Sequence, residues 1–157
     1  MRYLLWITLL VFLSLEIGKN ASAQEKPDPT RSDGQTTTKE LKMTMSPIGW
    51  VRKSEGRTWI EVDKKYQPGL MGLENFSHVW VLWWFDRNDT PEKRAVLQVH
   101  PGGNPANPKR GVFATHSPVR PNLIGMTRCR ILSVKENVVE IDGIDAFDDT
   151  PVLDLKN

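Results

Sequence analysis

A chain of 157 residues, a quarter of them charged and 39% apolar, suffices for one globular domain with an ordinary core. Lys and Arg total 21 against 19 Asp and Glu, a formal charge of +2, which excludes a protein held to nucleic acid mainly by net positive charge. The single cysteine, Cys129, excludes an intrachain disulfide; in the strand-like run RCRIL it reads as a small core residue rather than a nucleophile.

In chain order, residues 1–23 read as a secretory signal peptide. Met1-Arg2-Tyr3 is a short basic start, Leu4 to Leu15 (LLWITLLVFLSL) is apolar, and Ala21-Ser22-Ala23 offers a small-residue cleavage site before Gln24. The apolar run is too short to span a bilayer comfortably. Export to a periplasmic or extracellular location is expected, or a cytoplasmic location if these residues are not a signal. Without them the formal charge is +1. Residues 24–44 are polar and rich in Pro, Ser and Thr, and predict a flexible linker. The folded domain is expected over 45–157.

Within the domain strand signals dominate. Ile48–Val51 and Thr58–Val62 flank Gly56 and predict a hairpin. Leu70–Phe76 predicts one short helix. His78–Phe85 (HVWVLWWF) is apolar throughout, the pattern of a strand covered on both faces, either central in a barrel or partly buried by another subunit. Ala95–His100 predicts a strand, Pro101–Lys109 a loop, and Val112–Thr115 a return to the sheet. Met126–Val134 and Val138–Ile141 predict strands joined by a turn at Glu136-Asn137. Many short strands with Gly/Pro-rich connections indicate an all-β barrel or sandwich with little helix.

No metal site is expected, because His78, His100 and His116 lack ligand spacing and the cysteine is isolated. His116 and Ser117 are adjacent, so in extended chain they point apart and do not suit nucleophilic catalysis. No residue stands out as catalytic. The segment 111–125 (GVFATHSPVRPNLIG) is the richest in backbone-shaping residues. Pro118 and Pro121 each fix a φ angle, so Arg120 and Asn122 are held in set directions for a ligand. Alternatively the segment only turns a barrel corner, with Arg120 paired to a carboxylate such as Asp145 or Asp149. The acidic tail segment DGIDAFDDTPVLDLKN supplies a carboxylate for a ribose or a sulfonium cation, or simply solvated turns.

The stretches GLENFSHVWVLWWF (Gly72–Phe85), HPGGNPANPKRGVFAT (His100–Thr115), SPVRPNLIGM (Ser117–Met126) and DAFDDTPVLDLK (Asp145–Lys156) resemble the TsaA-like family, whose characterised members are tRNA methyltransferase O enzymes. The resemblance covers nearly all of residues 45–157. It implies a small β-barrel with one or two short helices, usually a homodimer, using S-adenosyl-L-methionine to methylate N6 of N6-threonylcarbamoyladenosine beside the tRNA anticodon. Carried over position by position, the family's FHR or FHQ falls on Phe85, Asp86 and Arg87. The arginine of GVFATRSP falls on His116. The hydrophobic residue after RPNPIG falls on Met126, and the turn before DGTP on Asp142, Gly143, Ile144 and Asp145. Arg120, Pro121 and Asn122 match the RPN core. Asp86 and His116 depart from the pattern, since an imidazole does not replace a forked guanidinium in kind. Asp149 stands at the glycine of DGTP, a place that suits a left-handed backbone. The leader and these departures carry a second expectation, an exported barrel that binds a nucleoside-like ligand without methyl transfer. A third is a dimeric structural domain with no ligand.

Overall fold

The structure, a computed structural model, describes residues 42–157. The expected signal peptide and the linker up to residue 41 lie outside the described residues. Strands β1 (Gly49–Ser54) and β2 (Arg57–Val62) pair antiparallel, from Ser54↔Arg57 to Gly49↔Val62. Their turn is two residues, Glu55 and Gly56, with φ of 50° and 75°. Two successive positive φ values match the twist of the flanking strands, and Gly56 bears the larger one without a Cβ clash. Period-2 alternation then turns Val51, Ile60 and Val62 inward, each at most 1% exposed.

The expected helix at 70–76 is instead split between two 3-10 segments, Lys64–Leu70 and Leu73–Asn75. Gly72, at φ 87°, leaves the right-handed region and breaks any continuous helix. Strand β3 (His78–Trp84) follows. It is not covered on both faces within this chain: Val79, Val81 and Trp83 are buried, whereas Trp80 on the outer face is 39% exposed.

An unexpected turn of helix, α1 (Pro91–Arg94), comes next, with Pro91 in its first turn and the Thr90 hydroxyl accepting a hydrogen bond from Lys93 N at 3.3 Å. The strand expected at 95–100 shrinks to β4 (Gln98–Val99), which pairs only with β5 (Arg110–Gly111) in a ribbon apart from the barrel. Ala95 already caps α1, so those residues are spent on the helix exit. Val112–Ala114 does not re-enter the sheet; it is a 3-10 turn that buries Val112 and leaves Phe113 exposed.

The long strand β6 (Ile124–Lys135) pairs with β3 along its first half and with β7 (Val138–Asp142) along its second. The predicted Glu136-Asn137 turn joins β6 to β7, and the Asn137 amide donates to the Val62 carbonyl at 2.7 Å. Strand β8 (Pro151–Lys156) had no strand expectation, because its acidic surroundings read as turns. It pairs with β1 on one side and β3 on the other, closing a six-stranded barrel in the order β1-β2-β7-β6-β3-β8. One core fills it, including Val51, Ile60, Val79, Val81, Val139 and Val152, with Cys129 packed fully buried among them. Among the described residues no helix is long and apolar enough to cross a membrane.

Candidate functional site

A cavity of about 810 Å³ opens where β3 ends and where β6 and β8 begin. Its floor is the indole of Trp83, 6% exposed, whose Nε1 donates to the Thr127 hydroxyl at 3.2 Å. The Phe85 ring meets Trp83 edge to face with centroids 4.4 Å apart.

Three chain segments supply the rim. The first is Phe85–Asn88, where a 3-10 turn presents Asp86 and Arg87. Lys93 staples this turn by donating to the Arg87 carbonyl at 3.1 Å and to Asn88 Oδ1 at 2.8 Å. Arg94 ties it to the next segment, bonding Asp89 Oδ1 at 2.7 Å and the Pro121 carbonyl at 2.8 Å. The second segment is 113–120, held by its own polar groups: Thr115 Oγ1 donates to the Val112 carbonyl at 3.1 Å and Arg120 Nη1 to the Thr115 carbonyl at 3.2 Å. The Ser117 hydroxyl donates to the Val119 carbonyl at 3.3 Å, a local turn rather than a nucleophile. The third is 145–150, which β1 holds in place. Lys53 N donates to Asp148 Oδ1 at 2.8 Å, Asp149 N to the Val51 carbonyl at 2.8 Å, and Val51 N to the Thr150 carbonyl at 2.9 Å.

The fold therefore brings Asp86, Arg87, His116, Arg120, Met126 and Asp145 around one cavity, from positions up to 59 residues apart. The other resembled positions do not line it. Asp142 pairs with Arg130 at 3.2 Å on the barrel wall. Gly143 has φ 81°, and the Ile144 side chain joins the core. Pro121 faces Arg94 through its carbonyl, and the Asn122 carbonyl accepts from Ile124 N at 2.7 Å. The expected pairing of Arg120 with Asp145 or Asp149 does not occur. Arg120 bonds a backbone carbonyl, and Asp149, at φ 65°, binds Arg52 at 2.5 Å.

Two rim residues carried no signal of their own. Phe113 is 80% and Phe147 63% exposed, and the Arg87 guanidinium lies 4.2 Å from the Phe147 ring centroid. Exposed aromatic rings at a cavity mouth suit stacking on a planar ligand. The cavity thus offers aromatic walls, two carboxylates and two guanidiniums. That donor set fits a zwitterionic nucleoside: carboxylates for hydroxyls and cationic groups, guanidiniums for a carboxylate. Among the described residues no group of three or more His, Cys, Asp or Glu is placed to hold a metal.

Residues 39–157 match the family described as the tRNA-methyltransferase O N-terminal domain. The chain belongs to that family. A probable S-adenosyl-L-methionine-binding protein of Methanocaldococcus jannaschii is 44% identical over 112 residues, covering 71% of this chain and 89% of the relative. Another from Pyrococcus horikoshii is 44% identical over 110 residues, covering 70% and 78%. The tRNA (adenine(37)-N6)-methyltransferase of Mus musculus is 48% identical over 90 residues, which is 57% of this chain and 20% of that enzyme. The crystal structure of TrmO from Pseudomonas aeruginosa superposes with a TM-score of 0.56 at 28% identity, covering 74% of this chain and 55% of that one. The chain thus spans most of these two archaeal relatives, about half of the solved TrmO and a fifth of the mouse enzyme. The cavity rim of this member of the family carries Asp86, Arg87, His116 and Arg120.

Proposed function

We propose that the domain binds S-adenosyl-L-methionine in the cavity above Trp83 and transfers its methyl group to N6 of adenine 37 of a tRNA bearing N6-threonylcarbamoyladenosine. The observation that carries this is the convergence of Asp86, Arg87, His116, Arg120, Met126 and Asp145 on one cavity in a chain of this family. Bound S-adenosyl-L-methionine supplies a methyl group activated by a sulfonium. The chain's part is positional: Asp86 and Asp145 take the cofactor's ammonium and hydroxyl groups, Arg87 and Arg120 its carboxylate, and the aromatic floor keeps water from the reacting carbon. The amide-like acceptor nitrogen is a poor nucleophile, so in-line alignment is the main lever.

The reading includes a homodimer. The outer face of β3 and β6 sets Trp80 beside Arg128 and Leu82 beside Met126, with Trp80 39% and Met126 48% exposed. Met126 also lines the cavity, so a second copy seated on this face would border the site. Sedimentation of the purified chain gives twice the monomer mass if this holds.

Calorimetric titration with S-adenosyl-L-methionine and S-adenosylhomocysteine, followed by transfer of labelled methyl to threonylcarbamoylated tRNA, tests the function. Micromolar cofactor binding with label in the tRNA is the expected result. Cofactor or nucleoside binding with no transfer, together with an N-terminus at Gln24 in the exported fraction, would instead support the reading as an exported binding barrel.

A further inference from the structure

Two parts of the cavity rim begin where the β3–β6 ladder ends. The last paired residues are Trp84 and Ile124, and one further backbone bond runs from Phe85 N to the Leu123 carbonyl at 2.8 Å. Beyond it one chain turns through Asp86–Asn88, the other leads back from Asn122 to His116, and both line the cavity. Among the described residues a single side-chain hydrogen bond joins residues 85–94 to residues 113–122. It runs from Arg94 Nη1 to the Pro121 carbonyl at 2.8 Å. The same guanidinium donates through Nε to Asp89 Oδ1 at 2.7 Å and lies 5.2 Å from the Trp84 ring centroid.

Arg94 does not line the cavity, and its side chain is 34% exposed. Its base is fixed by α1, where Arg94 N donates to the Thr90 carbonyl and Ala95 N to the Pro91 carbonyl, both at 3.0 Å. A planar guanidinium can hold two acceptors from two nitrogens while its face rests on an aromatic ring; an ammonium offers one nitrogen and no face. The far acceptor is well chosen. Pro121 has a fixed φ and follows Arg120, whose Nη1 holds the Thr115 carbonyl at 3.2 Å, so a grip on Pro121 restrains the rim back to His116.

We propose that Arg94 is a positioning residue: it locks the Asp86–Arg87 turn and the His116–Arg120 segment at one separation, so that the cavity is formed before its ligand arrives. This rests on the reading of the cavity as the S-adenosyl-L-methionine site. A partly exposed ion pair contributes little to global stability. A rim that is free to open, however, binds in proportion to the fraction of time it is closed. The loss of Arg94 therefore shows in affinity and not in the barrel.

The test compares the full chain with Arg94→Ala, Arg94→Lys and Arg57→Ala, the last removing an ion pair on the barrel wall. Calorimetry with S-adenosyl-L-methionine should show affinity lowered about tenfold in Arg94→Ala, less in Arg94→Lys, and unchanged in Arg57→Ala. Saturating cofactor pulls the rim closed again, so in methyl transfer the loss should fall on KM, with kcat within about twofold. Hydrogen exchange read by mass spectrometry should quicken in Arg94→Ala over residues 85–89 and 113–122 and stay unchanged in β1, β2 and β7. Wild-type affinity in Arg94→Ala would overturn the proposal. So would a fall in kcat at saturating cofactor, or exchange that rises throughout the barrel. If the wild type itself does not bind S-adenosyl-L-methionine, the cofactor reading falls, and the exchange pattern still decides whether Arg94 couples the two segments.

Discussion

Trp83 and Gly125 are cross-strand partners, and the Trp83 indole fills the space where a side chain at 125 would begin. A Cβ there would lie 2.5 Å from Trp83 Cε2 and 2.7 Å from Cδ2. The pocket floor therefore exists because one strand forgoes a side chain. Gly125→Ala should cost about 1–3 kcal/mol of stability, the usual penalty of overpacking, and should weaken ligand binding by displacing the indole. Urea unfolding and a calorimetric titration check both effects; a variant as stable as the wild type would contradict this packing.

Asp149 holds a left-handed φ of 65° while binding Arg52. Asp149→Val forces a β-branched residue into that region and should destabilise by about 1–3 kcal/mol. Asp149→Gly removes the strain and an exposed pair together, so its net effect should stay within about 1 kcal/mol. Paired urea titrations would show the difference.

Acid should weaken the fold modestly through two ion-paired carboxylates near the surface. The Arg94 guanidinium holds Asp89 below the ordinary 3.8, and Arg57 holds Glu140 below the ordinary 4.5. Both have folded values below their unfolded ones, so their stabilisation is complete above pH 4.5 and is lost as pH falls through the depressed folded values. Melting temperature should be insensitive to these groups near neutrality and drop on the acid side. Arg57→Ala and Arg94→Ala should each flatten that drop.

Cys129 should be chemically silent. Burial, with a smaller contribution from the charge of Asp142, pushes its thiol up to about 11. At pH 8 almost no thiolate is present, and the sulfur is inaccessible. Mass spectrometry after iodoacetamide should find the folded protein unmodified and the urea-unfolded chain fully labelled.

His116→Ala should lower affinity for S-adenosyl-L-methionine by about tenfold, or 1.4 kcal/mol, without lowering the melting temperature, because the side chain is exposed on the rim. His116→Arg, which restores the residue of the resembled pattern, should bind at least as well as the wild type. Loss of binding in His116→Arg would place the imidazole in a role that a guanidinium cannot fill.

Much of the barrel was legible before any coordinates. The β1–β2 hairpin follows from alternation around Gly56, and the β6–β7 turn follows from the break at Glu136-Asn137. Where alternation failed, local competition explains it. Gly72 divided the expected helix, and Ala95 went to the exit of α1 instead of a strand. Of the candidate site, Asp145 reaches the cavity while Asp142, three residues earlier in the same acidic run, turns to Arg130 on the barrel wall.

The sequence by itself determined the strand alternation, the two tight turns, the buried character of Cys129 and the family resemblance, since each is written in neighbouring residues or in a contiguous motif. Only the tertiary structure decided that β8 closes the barrel between β1 and β3, that Asp149 binds Arg52 rather than Arg120, and that Arg94 links Asp89 to Pro121 at the cavity rim. Those are relations across tens of residues. They are set by barrel closure and by which side chains can share the volume it leaves, and no local period encodes them.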